Sequence, residues 1–291
     1  MNPALWGLAS AASWGTADFV ARISGQALGP ARSLFGMIAA GIACLMLWIA
    51  IDGTPLALPM AGLHWLALNG VAVMVSMLLL YAALFRGPVA VAAPIVGTYP
   101  VFVVLGSLAL GITPSFAQWI AMGAVMVGVW LVATGSHPAA GGAAQERAAG
   151  GIAVTVTYAL IAAFAFTVAI FAAREAVPIY GGVQSVWFTR IVSLVCLLAL
   201  MAFNRETPLL PLKWWPAVTV QGALDTFGMY TMFVGAVGDG APLAVVGSAP
   251  VAVFTVLLAR VFLREAVPPK QWLGIGLVAA AGGALAYLGH G

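Results

Sequence analysis

The 291-residue chain is 63% hydrophobic and 7% charged, and its mean hydropathy of +1.09 lies far above that of water-soluble domains. Its net charge of +3 and pI near 9.1 come from a few cations set between apolar stretches, which directs topology and builds no nucleic-acid surface. Soluble enzyme folds are excluded, and the lipid bilayer is the expected solvent.

A hydrocarbon core is crossed by about 20 helical residues. Ten stretches of that kind follow one another, near 4–21, 33–51, 63–84, 88–110, 115–133, 152–173, 183–203, 214–236, 241–262 and 270–289. Turn-forming residues separate them: Gly25 to Pro30, Asp52 to Pro55, Arg86 to Pro88, Thr113 to Ser115, Arg205 to Pro208 and Val267 to Pro269. Lipid cannot hydrogen-bond stray backbone groups, and these unbroken runs lack the two-residue alternation of a barrel. The expected fold is an all-α integral membrane protein of ten transmembrane helices. Only Met1, Asn2 and Pro3 precede the first stretch, with no basic leader, so it is expected to stay as helix 1. Cys44 and Cys196 fall mid-stretch in helices 2 and 7 and read as small apolar residues, outside any disulfide or zinc framework.

The long polar interruption, residues 134–151, reads as a flexible linker between two five-helix halves, 1–133 and 152–291. The halves share landmarks in the same order. Tyr99-Pro100-Val101 in helix 4 matches Ala249-Pro250-Val251 in helix 9; Gln118-Trp119 matches Gln271-Trp272; the next helices then reach Gly123 and Gly276. An internal duplication is expected, and because five is odd the second repeat enters the membrane from the opposite face.

Trp14-Gly15-Thr16, Tyr81-Ala82-Ala83-Leu84, Tyr99-Pro100-Val101-Phe102, Ala249-Pro250-Val251 and Leu263-Arg264-Glu265 together resemble the paired repeats of the EamA-like drug/metabolite transporters. The flavour is most similar to their bacterial aromatic amino acid exporters of the YddG type. Two departures stand out: Gly111-Ile112-Thr113 replaces a segment that often carries an acid in the family, and helix 2 has no basic residue to match Arg190 of helix 7. The resemblance implies export of small metabolites by alternating access through a cavity between the halves, in a bacterial-type inner membrane.

Candidate site residues are polar groups at membrane depth, where a charge costs about 2.5–3.5 kcal/mol and faces a cavity or a partner. Asp225 sits mid-helix 8 with Gln221 one turn before it. Its carboxylate is read as a proton-titrating group, a partner for a substrate ammonium, or half of an ion pair with Arg190. Arg190, after Gln184, Trp187 and Thr189 in helix 7, either grips a substrate carboxylate with both arms or snorkels to the interface. Asp18 and Arg22 share one face of helix 1, as a structural pair or part of a gate.

Pro94 and Pro100 in helix 4 and Pro250 in helix 9 break backbone hydrogen bonds, releasing the carbonyls of Val96 and Val246. Gly97 and Gly247 beside them are expected to admit a ligand, with a plain kink as the alternative. Thr98, Tyr99, Ser248, Tyr81, Tyr158, Trp187 and Tyr230 complete an aromatic, hydrogen-bonding box for an amino acid side chain, or pack as ordinary core. Trp6, Trp48, Trp65, Trp119, Trp214, Trp215 and Trp272 fall near stretch ends as interfacial anchors.

Arg22, Arg32, Arg86, Arg147, Arg205, Lys213, Arg264 and Lys270 lie in or beside the loops after odd-numbered helices, against Arg174 in an even-numbered one. Positive charge marks the cytoplasmic side, which puts both termini outside. Without a Walker loop, a gradient must drive transport. The expected function is a secondary-active or facilitative exporter of amino acids, aromatic and neutral ones included. Proton-coupled export of cationic drugs is a second reading, with Asp225 and the aromatics meeting the cation. An intramembrane enzyme built on Gly247-Ser248-Ala249 is a third, though His64, His137 and His290 are poorly placed as a base. Nothing in the sequence calls for a cofactor, metal, nucleic acid or protein partner.

Overall fold

A computed structural model describes residues 2–53, 56, 59–86, 95–135, 151–262 and 267–288, whose regular structure is entirely helical. The helices are α1 (Pro3–Leu28), α2 (Pro30–Asp52), α3 (Leu63–Arg86), α4 (Tyr99–Ala109), α5 (Phe116–Gly135), α6 (Gly151–Tyr180), α7 (Gly182–Phe203), α8 (Trp215–Gly235), α9 (Ala241–Ser248), α10 (Val251–Phe262) and α11 (Pro269–Leu288). Short 3-10 turns precede α8 and α9. Among the described residues five segments are long and apolar enough to cross a membrane: Ala31–Asp52, Leu63–Leu80, Ala153–Tyr180, Gly182–Phe203 and Gly238–Phe262. Large apolar side chains such as Leu47, Ile51, Leu105, Ile120, Val195 and Leu273 point outward, a surface that lipid solvates and water does not. Of the expected linker, 134–151, residues 134 and 135 continue α5 and residue 151 begins α6, while 136–150 lie outside the described residues.

Local chemistry sets the helix ends. Asn2 caps α1, its Oδ1 accepting from Ala4 N–H at 2.8 Å, with Pro3 in the first turn. The helix passes its expected end at residue 21 and runs to Leu28. A charged residue such as Arg22 leaves backbone bonding intact, and the stop comes at Gly29, whose φ of 77° only glycine adopts cheaply. α6 likewise passes residue 173 and ends at Tyr180 before Gly181, φ 76°. Gly29 (ψ 164°) and Gly181 (ψ 160°) thus join α1 to α2 and α6 to α7 by the same one-residue link at matching places. Ser115 and Gln118 form a reciprocal cap on α5, with Ser115 N–H donating to Gln118 Oε1 at 2.8 Å and Gln118 N–H donating to Ser115 Oγ at 3.3 Å.

The two halves are interleaved. α1 packs along α8 as α3 packs along α6; α2 lies against α8 as α7 lies against α3; α5 and α11 cross each other. The matched glutamines make that last crossing reciprocal: Gln118 Nε2 donates to Leu288 O at the end of α11 (3.5 Å), and Gln271 Nε2 to Val132 O near the end of α5 (3.1 Å). Lipid supplies no hydrophobic drive between helices, so backbones must approach closely, and glycine permits it. A Cβ at Gly222 would sit 2.3 Å from Met37 O on α2, and one at Gly274 2.7 Å from Gly128 O on α5. Gly123 and Gly276, the sequence-matched pair, meet nothing within 4 Å.

Helix ends gather on two faces. Arg32, Arg205, Lys213, Arg260 and Lys270 lie at the basic face, where Arg32 Nε donates to Thr207 O at 3.2 Å and Lys270 Nζ sits 5.0 Å from the Trp130 ring centre. At the opposite face the Tyr180 hydroxyl donates to Pro59 O (2.7 Å) and Ala61 O (2.9 Å), fastening the α2–α3 loop to the end of α6.

Gly222→Leu and Gly274→Leu are expected to abolish the monodisperse gel-filtration peak in detergent, because each drives a side chain into backbone. Gly123→Leu and Gly276→Leu should leave that peak unchanged.

Candidate functional site

α7 and α8 meet through a buried ion pair. Asp225 lies at the middle of α8, about 15 Å of helix from either end. An Arg190 Nη2 hydrogen is donated to its Oδ2, with side-chain exposures of 1% and 7%. Neither charge has water to return to, so removing one strands the other. From α1, the Trp14 indole N–H donates to the Asp225 backbone carbonyl at 3.2 Å. Gly228 admits that indole, since a Cβ there would lie 2.7 Å from Trp14 Cδ1.

Three buried donors around the pair have no acceptor among the described residues: Arg190 Nε, Trp187 Nε1 and Gln221 Nε2. Trp187 and Arg190, three residues apart, share one face of α7. Gln221 is held by its other end, Oε1 accepting from the Ser24 hydroxyl at 2.8 Å, while Ser24 and Ser33 lie 3.1 Å apart. Asp18, one turn beyond Trp14 on α1, is exposed and within electrostatic range of Asp225. The Arg22 side chain lies outside the described residues, and so does the expected Asp18–Arg22 pairing.

An aromatic chain leads from the ion pair to the helix breaks. Trp14 stands edge-on to Phe166 (centroids 5.7 Å apart) and Phe166 edge-on to Tyr99 (5.0 Å). The Tyr99 hydroxyl lies 2.6 Å from Ser248 Oγ. Because the Ser248 hydroxyl donates to Val245 O at 2.8 Å, the phenol is the donor to serine. Along α8, α9 and α10, burial is lopsided about this chain. Toward the opposite face, Met229, Met232, Phe233, Ala236, Ala241, Ala244 and Val245 are fully buried; toward the basic face, Asp18 is exposed and Phe254 to Leu258 are half-buried.

Of the residues singled out in the sequence, Arg190 and Asp225 form the ion pair, Trp187 and Gln221 lie one turn from them on α7 and α8, and Tyr99 meets Ser248. Tyr230 instead joins Trp6 (6.1 Å) and Trp48 (5.5 Å) toward the opposite face, which makes those two tryptophans packing partners. Tyr158 packs with Ala83, Ile95 and Val96, nearer the basic face. Thr98 Oγ1 bonds within its own turn, to Ile95 O at 2.6 Å. Pro100 stands in the first turn of α4, and Pro250 is buried between α9 and α10. Pro94 and the Tyr81 side chain lie outside the described residues.

Two expectations at the breaks are corrected. The Val246 carbonyl accepts from Ala249 N–H at 3.1 Å, because the chain tightens into a turn before Pro250 and recovers the bond the proline forfeits. Gly247 makes room for α1 in place of a ligand: a Cβ there would lie 2.6 Å from Ala4 O.

The sequence marks Trp14 only as part of a family motif, and gives Phe166 and Asn69 no place among the candidate site residues. Asn69 Nδ2 donates to Ala169 O at 2.6 Å while its Oδ1 accepts from Thr189, tying α3 to α6 and α7. A single amide in an apolar stretch was a legible signal; Phe166, one of 14 phenylalanines, carried none. Ser248 has no histidine beside it among the described residues, His64 lying at the start of α3 against Trp65 (4.7 Å); His137 and His290 lie outside them. No group of three potential metal ligands occurs among the described residues.

No curated protein matches the chain. A solved crystal structure, described simply as that of a protein, superposes with a TM-score of 0.76 at 20% identity, covering 97% of each chain, a likeness of fold. The EamA-like transporter family, whose members move small molecules across membranes, matches twice, over residues 1–134 and 153–285, once in each half. The chain is a multi-pass membrane protein and belongs to the EamA-like transporter family.

Proposed function

We propose that the protein exports amino acids, aromatic and neutral ones included, by alternating access through ten spans arranged as two inverted five-helix repeats in a bacterial-type inner membrane. The observation that carries this reading is the set of donors left over at the ion pair. Arg190 gives Nη2 to Asp225 and keeps Nε unpartnered among the described residues, with Trp187 Nε1 on the same helix face. Buried donors without acceptors are costly, and a substrate carboxylate satisfies both. The exposed carboxylate of Asp18 suits the ammonium at the other end of the same zwitterion. Trp14, Phe166 and Tyr99 then offer edges and faces to an aromatic side chain.

The lopsided burial supports a resting shape closed toward the opposite face and looser toward the basic face, which the positive-inside rule makes cytoplasmic. In that shape the bend between α9 and α10 is packed by α1, and a ligand gains it only when α1 withdraws. Alternating access therefore asks α1 to move relative to α9.

Counterflow of labelled amino acids into proteoliposomes tests the assignment. Arg190→Leu should lose counterflow and folded yield together, since a stranded buried charge costs about 3–5 kcal/mol. Arg190→Leu combined with Asp225→Leu should recover the yield and still fail to transport; recovery of transport would reduce the pair to packing.

Asp18→Asn should raise the apparent KM for amino acids about tenfold with an unchanged gel-filtration profile. It should spare the transport of deaminated acids, which carry no ammonium. Equal effects on both solute classes would remove Asp18 from the site.

A further inference from the structure

A groove of about 390 Å³ lies between α3, α4 and α6 at the opposite face, lined by Trp65, Gly106, Leu110, Phe171 and Glu175. Its lining shares no residue with the ion pair, and it sits where α3 begins and where α4 and α6 end. Phe171 and Glu175, four residues apart, share one face of α6 and so present ring and carboxylate to the same space. Gly106 shapes the floor: a Cβ there would lie 2.6 Å from Phe171 Cε2, so any larger residue would push the ring off α4. Leu110 is 60% exposed, so the groove opens sideways toward the bilayer.

The wall chemistry is selective. Among the described residues Glu175 is the one charged group lining an otherwise apolar and aromatic groove, and it is exposed. Arg174 precedes it directly and therefore points to a different side of α6. The wider field has the same sign: at this face the described charged residues are Asp52, Glu175 and Asp239 against Arg174, whereas the other described surface cations crowd the basic face. An anionic headgroup is repelled here and a cation attracted, while indole and phenyl rings add a cation–π surface. The volume fits a drug-sized molecule.

We propose that this groove binds lipophilic organic cations, their charge held by Glu175, Trp65 and Phe171 and their apolar bodies lying along Gly106 and Leu110. The site is separate from the transported substrate's path and does not depend on what that substrate is.

Tetraphenylphosphonium, measured by equilibrium dialysis against the purified full chain in neutral detergent, is the direct probe. Saturable one-to-one binding is expected, weakened at least tenfold by Glu175→Gln and by raised salt. Asp18→Asn and the Arg190→Leu/Asp225→Leu double variant should leave it unchanged, and Glu175→Gln should keep amino acid counterflow. Because Glu175 is exposed, its variant is expected to elute as the parent does, and Glu175→Asp should retain part of the affinity. Unaltered binding in Glu175→Gln, loss in Asp18→Asn or in the double variant instead, or absence of saturable binding would each overturn the proposal. Equal affinity for neutral triphenylphosphine oxide would also overturn it, leaving a groove that any acyl chain fills.

Discussion

Lipid gives helices no hydrophobic reason to associate with one another, so this bundle depends on backbones coming close enough for dispersion and dipoles to act. Glycine governs where that happens. Gly7 and Gly247 bring α1 against α9, Gly15 brings it against α10, and Gly222 seats α8 on α2. Each contact fixes one helix by the main chain of another, which explains why the polar side chains between them find partners so far away in sequence. Ser10 bonds to Gly228 O and Thr255 to Gly15 O, each across a crossing of this kind.

Within that frame the Arg190–Asp225 pair has two faces. Its joined side stabilises the α7–α8 contact at a depth where neither ion is solvated. Its spare donors give the same depth an appetite for an acceptor. A buried pair that offered every hydrogen to its partner would be inert; one with Nε left over is not. Asp18 on α1, within electrostatic range of Asp225, adds a second carboxyl group to the same region.

Much of this was legible in the residues. Apolar length gave the helices, because hydrocarbon leaves the backbone few alternatives, and Asp225, Arg190 and Gln221 stood out as charges and amides amid Leu and Val. Tyr99 and Ser248 were marked by the prolines next to them. What escaped notice depended on rotation about helix axes, which composition does not encode. Tyr230 turns toward Trp6 and Trp48, Gly247 faces α1, and Phe166 happens to bridge Trp14 and Tyr99. The helix ends beyond residues 21 and 173 escaped for another reason: hydropathy tracks the membrane edge, whereas backbone bonding continues until a glycine such as Gly29 or Gly181 interrupts it. Gln118 and Gln271 mark the duplication in the sequence, whereas their mutual clasp and the identical glycine links exist only in three dimensions.

The brevity of those two links has a mechanical result. One residue between long rods supplies no slack, so α2 cannot slide along α1, nor α7 along α6, without unwinding a turn. Each pair behaves as a stiff chevron with a single knee, one knee on each surface of the membrane. Deformation is thereby steered away from the loops and into the places where rods are already interrupted, at Gly97-Thr98 and Ala249-Pro250.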